Sequence, residues 1–84
     1  MYYILFTTTT CVKCPSFKKL IADRVKFSGE IIDEKSENFL DLANKFAVMN
    51  APTFIVFKDN SLNDEVFRCS EEYELEKFLE NNQI

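Results

Sequence analysis

The sequence predicts an α/β protein, a four-stranded mixed sheet flanked by three helices in the order β-α-β-α-β-β-α. Three observations predict it. Short apolar runs rich in aromatic and branched side chains recur at Tyr2–Phe6 and Thr53–Phe57, as buried strands require. Apolar residues at helical spacing fill the stretches between such runs. A polar segment, Lys58 to Asp64, joins the third run to a fourth, which reads as a hairpin. With 84 residues the chain suffices for one domain, residues 1–84, with one core.

Taken in order, Tyr2-Tyr3-Ile4-Leu5-Phe6 is the first strand, ending in four threonines. Phe17, Leu20, Ile21 and Val25 then recur on one helical face, with Lys18, Lys19, Asp23 and Arg24 elsewhere. Pro15 suits the first turn, where its missing amide has no intrahelical partner to lose. Ser28-Gly29 breaks the pattern before a second strand, Glu30-Ile31-Ile32-Asp33. Ser36 is the expected N-cap of a second helix, with Glu37 beside its positive end and Phe39, Leu42, Ala43 and Phe46 as its inward stripe. Thr53–Phe57 is the third strand and Glu65–Arg68 the fourth. Ser70 is expected to cap the last helix, with Glu71 and Glu72 at its N-terminus and Leu75, Phe78 and Leu79 facing inward. The first two strands should be parallel through a right-handed crossover, and the last two antiparallel. Helices must cover strands that are apolar throughout.

Composition narrows the function classes. A net charge of −4 argues against a nucleic-acid binder, which needs a basic surface. The charge is uneven: Lys13, Lys18, Lys19, Arg24 and Lys26 face one acid, Asp23, in the first helical region, whereas from Asp59 onward eight acids face Arg68 and Lys77. The opening MYYILF lacks the layout of a secretory signal, and nothing approaches membrane-spanning length. The expectation is a cytoplasmic monomer without a membrane partner, in a compartment where thiols stay reduced and a permanent structural disulfide is uncommon.

The chemistry lies in Cys11-Val12-Lys13-Cys14, placed where the first strand meets the first helix. A thiolate there faces unsatisfied backbone amides and the positive end of the helix dipole. Such surroundings lower a cysteine pKa from about 8.5 into the range of roughly 3.5 to 7.5. Cys11, the outer thiol, is the expected nucleophile, with the Lys13 charge nearby. Cys14, one turn further in and on the same helix face, is the resolving thiol that attacks the mixed disulfide. The third cysteine, Cys69, is expected to be a small packed residue.

Cys-x-x-Cys-Pro opening the first helix, with Asn50-Ala51-Pro52-Thr53 opening the third strand, resembles the glutaredoxin-like branch of the thioredoxin superfamily. The resemblance spans essentially the whole chain, in the short form without the extra N-terminal strand and helix of thioredoxin proper. It implies a thioredoxin-like fold and a thiol–disulfide oxidoreductase that reduces protein disulfides through a redox-active Cys11–Cys14 pair, with no bound cofactor. It also implies a cis Ala51–Pro52 bond whose loop faces the dithiol, backbone groups of Ala51 pairing with the substrate chain, and Thr10, Val12, Lys13, Pro52 and Thr53 beside it. Threonines stand where glutaredoxins commonly place a basic residue for the glutathione carboxylate, and Arg68-Cys69-Ser70-Glu71 matches poorly the segment that holds glutathione's other end. Thioredoxin reductase is therefore the expected reductant rather than glutathione. The valine between the cysteines is similar to NrdH-type redoxins, which implies a ribonucleotide reductase as an electron acceptor.

Two other readings compete. A Cys-x-x-Cys pair can be half of a zinc or iron–sulfur site, but such sites take four ligands and this chain adds only Cys69 and no histidine, so no metal is expected within one chain. The alternative from another class is a non-catalytic thioredoxin-fold binding module, or a protein that shares a metal between chains.

Overall fold

The computed structural model describes residues 1–82. It contains β1 (Tyr2–Phe6), α1 (Cys14–Arg24), β2 (Ser28–Ile32), α2 (Phe39–Lys45), β3 (Thr53–Phe57), β4 (Glu65–Cys69) and α3 (Glu72–Asn82). The strands form one mixed sheet in the order β2-β1-β3-β4. β1 and β2 are parallel, and β3 is antiparallel to both β1 and β4. This is the predicted α/β architecture.

Successive side chains of a strand point to opposite faces, and each face here meets its own helices. Leu5, Phe54, Val56 and Cys69 pack against Phe17 and Ile21 of α1 and Leu75 and Leu79 of α3. On the other face Ile4, Phe6, Ile32, Ile55 and Phe57 gather round Ala43 of α2, with Phe39, Leu42 and Phe46 at the margin. β3 is buried along its whole length, which explains its unbroken apolar sequence. Each large apolar side chain withdrawn from water stabilises by about 1.5–3 kcal/mol, and Phe6, Phe17, Phe54 and Phe57 are all fully buried.

Several boundaries differ from those the sequence suggests: β2 ends at Ile32 rather than Asp33, β4 runs on to Cys69 rather than ending at Arg68, and three element starts move. β2 starts at Ser28 rather than Glu30, because Ser28 and Gly29 pair with Tyr2 and Tyr3 of β1. Gly29 is no break there: the Tyr3 ring lies over it, in the space a Cβ would fill. α2 starts at Phe39, and Ser36 belongs to the preceding turn, its amide donating to the Asp33 carbonyl and its hydroxyl accepting from the Asp33 amide. α3 is bounded by Glu71, whose carbonyl accepts from the amides of Glu74 and Leu75, one residue later than the expected cap at Ser70. The end of α2 is closed by the Val48 amide on the Ala43 carbonyl and the Ala47 amide on the Asn44 carbonyl, with Ala47 at φ 55°. That pair of bonds is a Schellman motif with alanine in the place glycine usually takes.

Candidate active site

The end of β1 is tied down first. Thr7 directs both its amide and its hydroxyl to the Ile32 carbonyl, at 2.8 and 2.9 Å. The chain then turns: the Thr9 amide donates to both carboxylate oxygens of Glu34, at 3.0 and 3.1 Å, and the Cys11 amide to the Thr8 carbonyl at 3.2 Å. α1 starts at Cys14 with Lys13 as its N-cap residue, and Pro15 sits in the first turn as expected. Cys11 and Cys14 are joined in a disulfide, their Cα atoms 5.5 Å apart. Cys14 is only 2% exposed, whereas Cys11 is partly exposed. Cys14 thus lies deeper than Cys11.

Across from the sulfurs runs the loop before β3. Its Ala51–Pro52 bond is cis. Thr53 is buried, and its hydroxyl donates back to the Asn50 carbonyl at 2.7 Å, holding the loop to the start of the strand. Between this loop and the disulfide lies a cleft of about 450 Å³ lined by Thr10, Cys11, Val12, Lys13, Ala51 and Pro52. Cys14 lies beneath it, bonded to Cys11. Thr53 is not among the lining residues, because its side chain serves the loop from the buried side.

Four further residues complete the cleft: Thr8, Asn50, Ser70 and Glu71. Spacing gives no hint of Glu71, which stands 58 residues from Lys13. The fold brings the start of α3 beside the start of α1, and the Lys13 ammonium meets both Glu71 carboxylate oxygens at 2.9 and 3.1 Å. These two are the charged residues of the lining. A second missed contact is Glu34, whose hold on the Thr9 amide shapes the approach to Cys11. The lone signal in the sequence was a carboxylate just past the second strand.

Among the described residues the buried polar ones are Thr7 and Thr53, so no buried carboxylate sits beside Cys14. Cys69 is buried at the end of β4, and burial, with Glu74 nearby, pushes its thiol up to about 12 from an ordinary 9.0. It is a core residue of the α1–α3 face. Among the described residues no group of three or more Cys, Asp or Glu is placed to hold a metal ion, and no helix is long and apolar enough to cross a membrane.

Several solved structures share this fold. Thioredoxin O2 from Arabidopsis thaliana, solved in the oxidised state, superposes with a TM-score of 0.73 at 16% identity, over 95% of this chain and 72% of that one. Fasciola hepatica thioredoxin superposes at 0.69 with 24% identity, covering 95% of this chain and 78% of its own. Thioredoxin 1 from Thermosipho africanus gives 0.64 at 17% identity with both chains fully covered. No protein-family model matches the sequence, and no curated protein sequence matches it. The chain thus has the thioredoxin fold. That fold sets the bonded Cys-x-x-Cys pair at the start of α1.

Proposed function

We propose that this chain is a thiol–disulfide oxidoreductase that reduces disulfides in other proteins, with residues 1–84 acting as one monomeric unit in the cytoplasm. The observation that carries the proposal is the meeting of a partly exposed Cys11, a buried Cys14 bonded to it, and the Ala51–Pro52 loop in one open cleft. In the reduced protein the Cys11 thiolate attacks one sulfur of the substrate disulfide. That bond breaks, a Cys11–substrate disulfide forms, and the first substrate sulfur leaves as a thiolate that takes up a proton. Cys14 then loses its proton and attacks the Cys11 sulfur, and the second substrate sulfur departs to be protonated in turn. The substrate gains two electrons and two protons, and the protein ends as the Cys11–Cys14 disulfide. The Cys14 proton passes to the departing thiolate or to water in the cleft.

Exposed Val12 and the backbone of Ala51 are the proposed contacts for an extended substrate segment, with Thr10, Lys13 and Pro52 at its sides and Thr53 supporting the loop. The restoring reductant we infer is a thioredoxin reductase in preference to glutathione, because Lys13 and Glu71 spend their charges on each other instead of presenting them to the ends of a charged tripeptide. A ribonucleotide reductase is the acceptor inferred from the valine between the cysteines.

Insulin reduction tests the reading. Cys11→Ser should abolish it, and Cys14→Ser should leave a trapped mixed disulfide visible by mass spectrometry. Full activity in both variants would overturn the proposal. Supplying electrons from NADPH through thioredoxin reductase, or through glutathione and its reductase, separates the two reductants.

A further inference from the structure

We propose that Glu71 is a positioning residue that holds the Lys13 ammonium while Cys11 and Cys14 are bonded and yields it to Cys11 when they are reduced. The inference rests on the redox reading above and adds a charge that moves with the redox state.

In the disulfide form both sulfurs are neutral, and Lys13, set between the two cysteines, turns its ammonium to Glu71. Reduction brings in two electrons and two protons and breaks the S–S bond; Cys14 keeps its proton, and Cys11 ionises by releasing its own to water. A negative charge then stands in a cleft whose lining holds one cation, Lys13, and one anion, Glu71. Glu34 is held by the Thr9 amide, and Glu72 and Glu74 lie in the first turn of α3 outside the cleft lining. The ammonium is carried on a flexible stem and its side chain is 57% exposed, so it can swing between the two anions. Glu71 cannot follow freely, because the α3 amides of Glu74 and Leu75 fix its backbone. Its carboxylate therefore competes with the thiolate for Lys13 and opposes the thiolate directly. It favours the disulfide over the dithiol twice, through the ion pair in one state and the competition in the other.

The sign follows. Glu71→Gln frees Lys13 for Cys11, so the Cys11 ionisation shifts to lower pH and the dithiol gains relative to the disulfide. Lys13→Gln shifts the ionisation to higher pH. Half-exposed pairs of this kind change an equilibrium constant by up to about fivefold, which for a two-electron couple corresponds to roughly 20 mV. Raising the salt concentration should shrink the difference, because the Debye length falls to about 3 Å at 1 M.

The experiment titrates thiolate absorbance at 240 nm against pH and measures the dithiol–disulfide equilibrium in glutathione redox buffers, for the wild type, Glu71→Gln, Glu71→Asp, Lys13→Gln and the double variant. Expected are a severalfold shift for Glu71→Gln in both readouts, a smaller shift for Glu71→Asp, and a much reduced effect of Glu71→Gln in the Lys13→Gln background. Unchanged values in Glu71→Gln, or an equal shift with and without Lys13, would overturn the role of Glu71 while leaving the oxidoreductase reading intact. A wild-type protein that does not exchange with the redox buffer would sink that reading, and this one with it.

Discussion

Replacing Gly29 with alanine should destabilise the protein through a ring on the neighbouring strand. Gly29 pairs with Tyr3 in the parallel β1–β2 register, and an added methyl would overlap Cγ, Cδ2 and Cε2 of that ring. Those atoms sit near the base of the side chain, so the whole ring must leave. It would give up its stack on Phe54, centroids 5.4 Å apart, and its edge contact with Phe27 at 6.0 Å. Each aromatic pair is worth about 0.5–1.5 kcal/mol beyond its buried area, so the loss is about 1–3 kcal/mol. Removing a glycine from a strand returns about 0.5–1 kcal/mol of backbone entropy. The net cost is about 0–2.5 kcal/mol, centred near 1 kcal/mol, and at that centre Tm falls by roughly 5–10 °C for a chain of this size. Urea unfolding followed by far-UV circular dichroism measures it, and a Tyr3→Val background supplies the control: with the ring gone, Gly29→Ala should stabilise by about 0.5–1 kcal/mol. An effect of Gly29→Ala that is the same in the wild-type and Tyr3→Val backgrounds would refute the steric account.

Other consequences are simpler. Ala47→Gly should stabilise by about 0.5–1 kcal/mol in the same unfolding assay, since glycine carries no penalty at φ 55°. Cys69 should resist iodoacetamide at pH 8 in the native reduced protein and react once the chain is unfolded in urea. Its native thiol pKa stands above its ordinary 9.0, at about 12, so its contribution to stability is complete below pH 9 and fades as pH rises toward 12. Tyr2 and Tyr3, both raised by burial above 10.0, act in the same direction, so Cys69→Ala should flatten the alkaline limb of a stability–pH curve without removing it. Thr53→Val strands the Asn50 carbonyl and should cost about 1 kcal/mol, with a larger loss of insulin-reducing activity than of helix content.

The sequence conveyed what depends on neighbours in the chain. Tyr2–Phe6 and Thr53–Phe57 read as strands because every residue in them is apolar or branched, and burial from two sides demands that composition. α1 was legible because Phe17, Leu20 and Ile21 share a face and Pro15 marks its first turn. The misplaced starts of β2, α2 and α3 came from contacts that the local pattern does not carry. Gly29 resembles a breaker until Tyr3 lies over it, Ser36 resembles a cap until Asp33 engages its amide and hydroxyl, and Ser70 yields to Glu71 as the start of α3. The site divides the same way. Its sulfurs and its Ala51–Pro52 loop form compact local motifs, whereas the contacts of Glu71 with Lys13 and of Glu34 with Thr9 exist only after the sheet brings separate loops together.

β3 also separates chemistry from tolerance to change. The Asn50–Pro52 loop leaves one end of this buried strand and the Lys58–Asp64 hairpin leaves the other, so at about 3.3 Å per residue the two lie roughly 16 Å apart. A fluorophore, an affinity tag or a grafted epitope spliced at Asn60 or Ser61, both exposed, would therefore sit away from the Cys11–Cys14 cleft and leave it open.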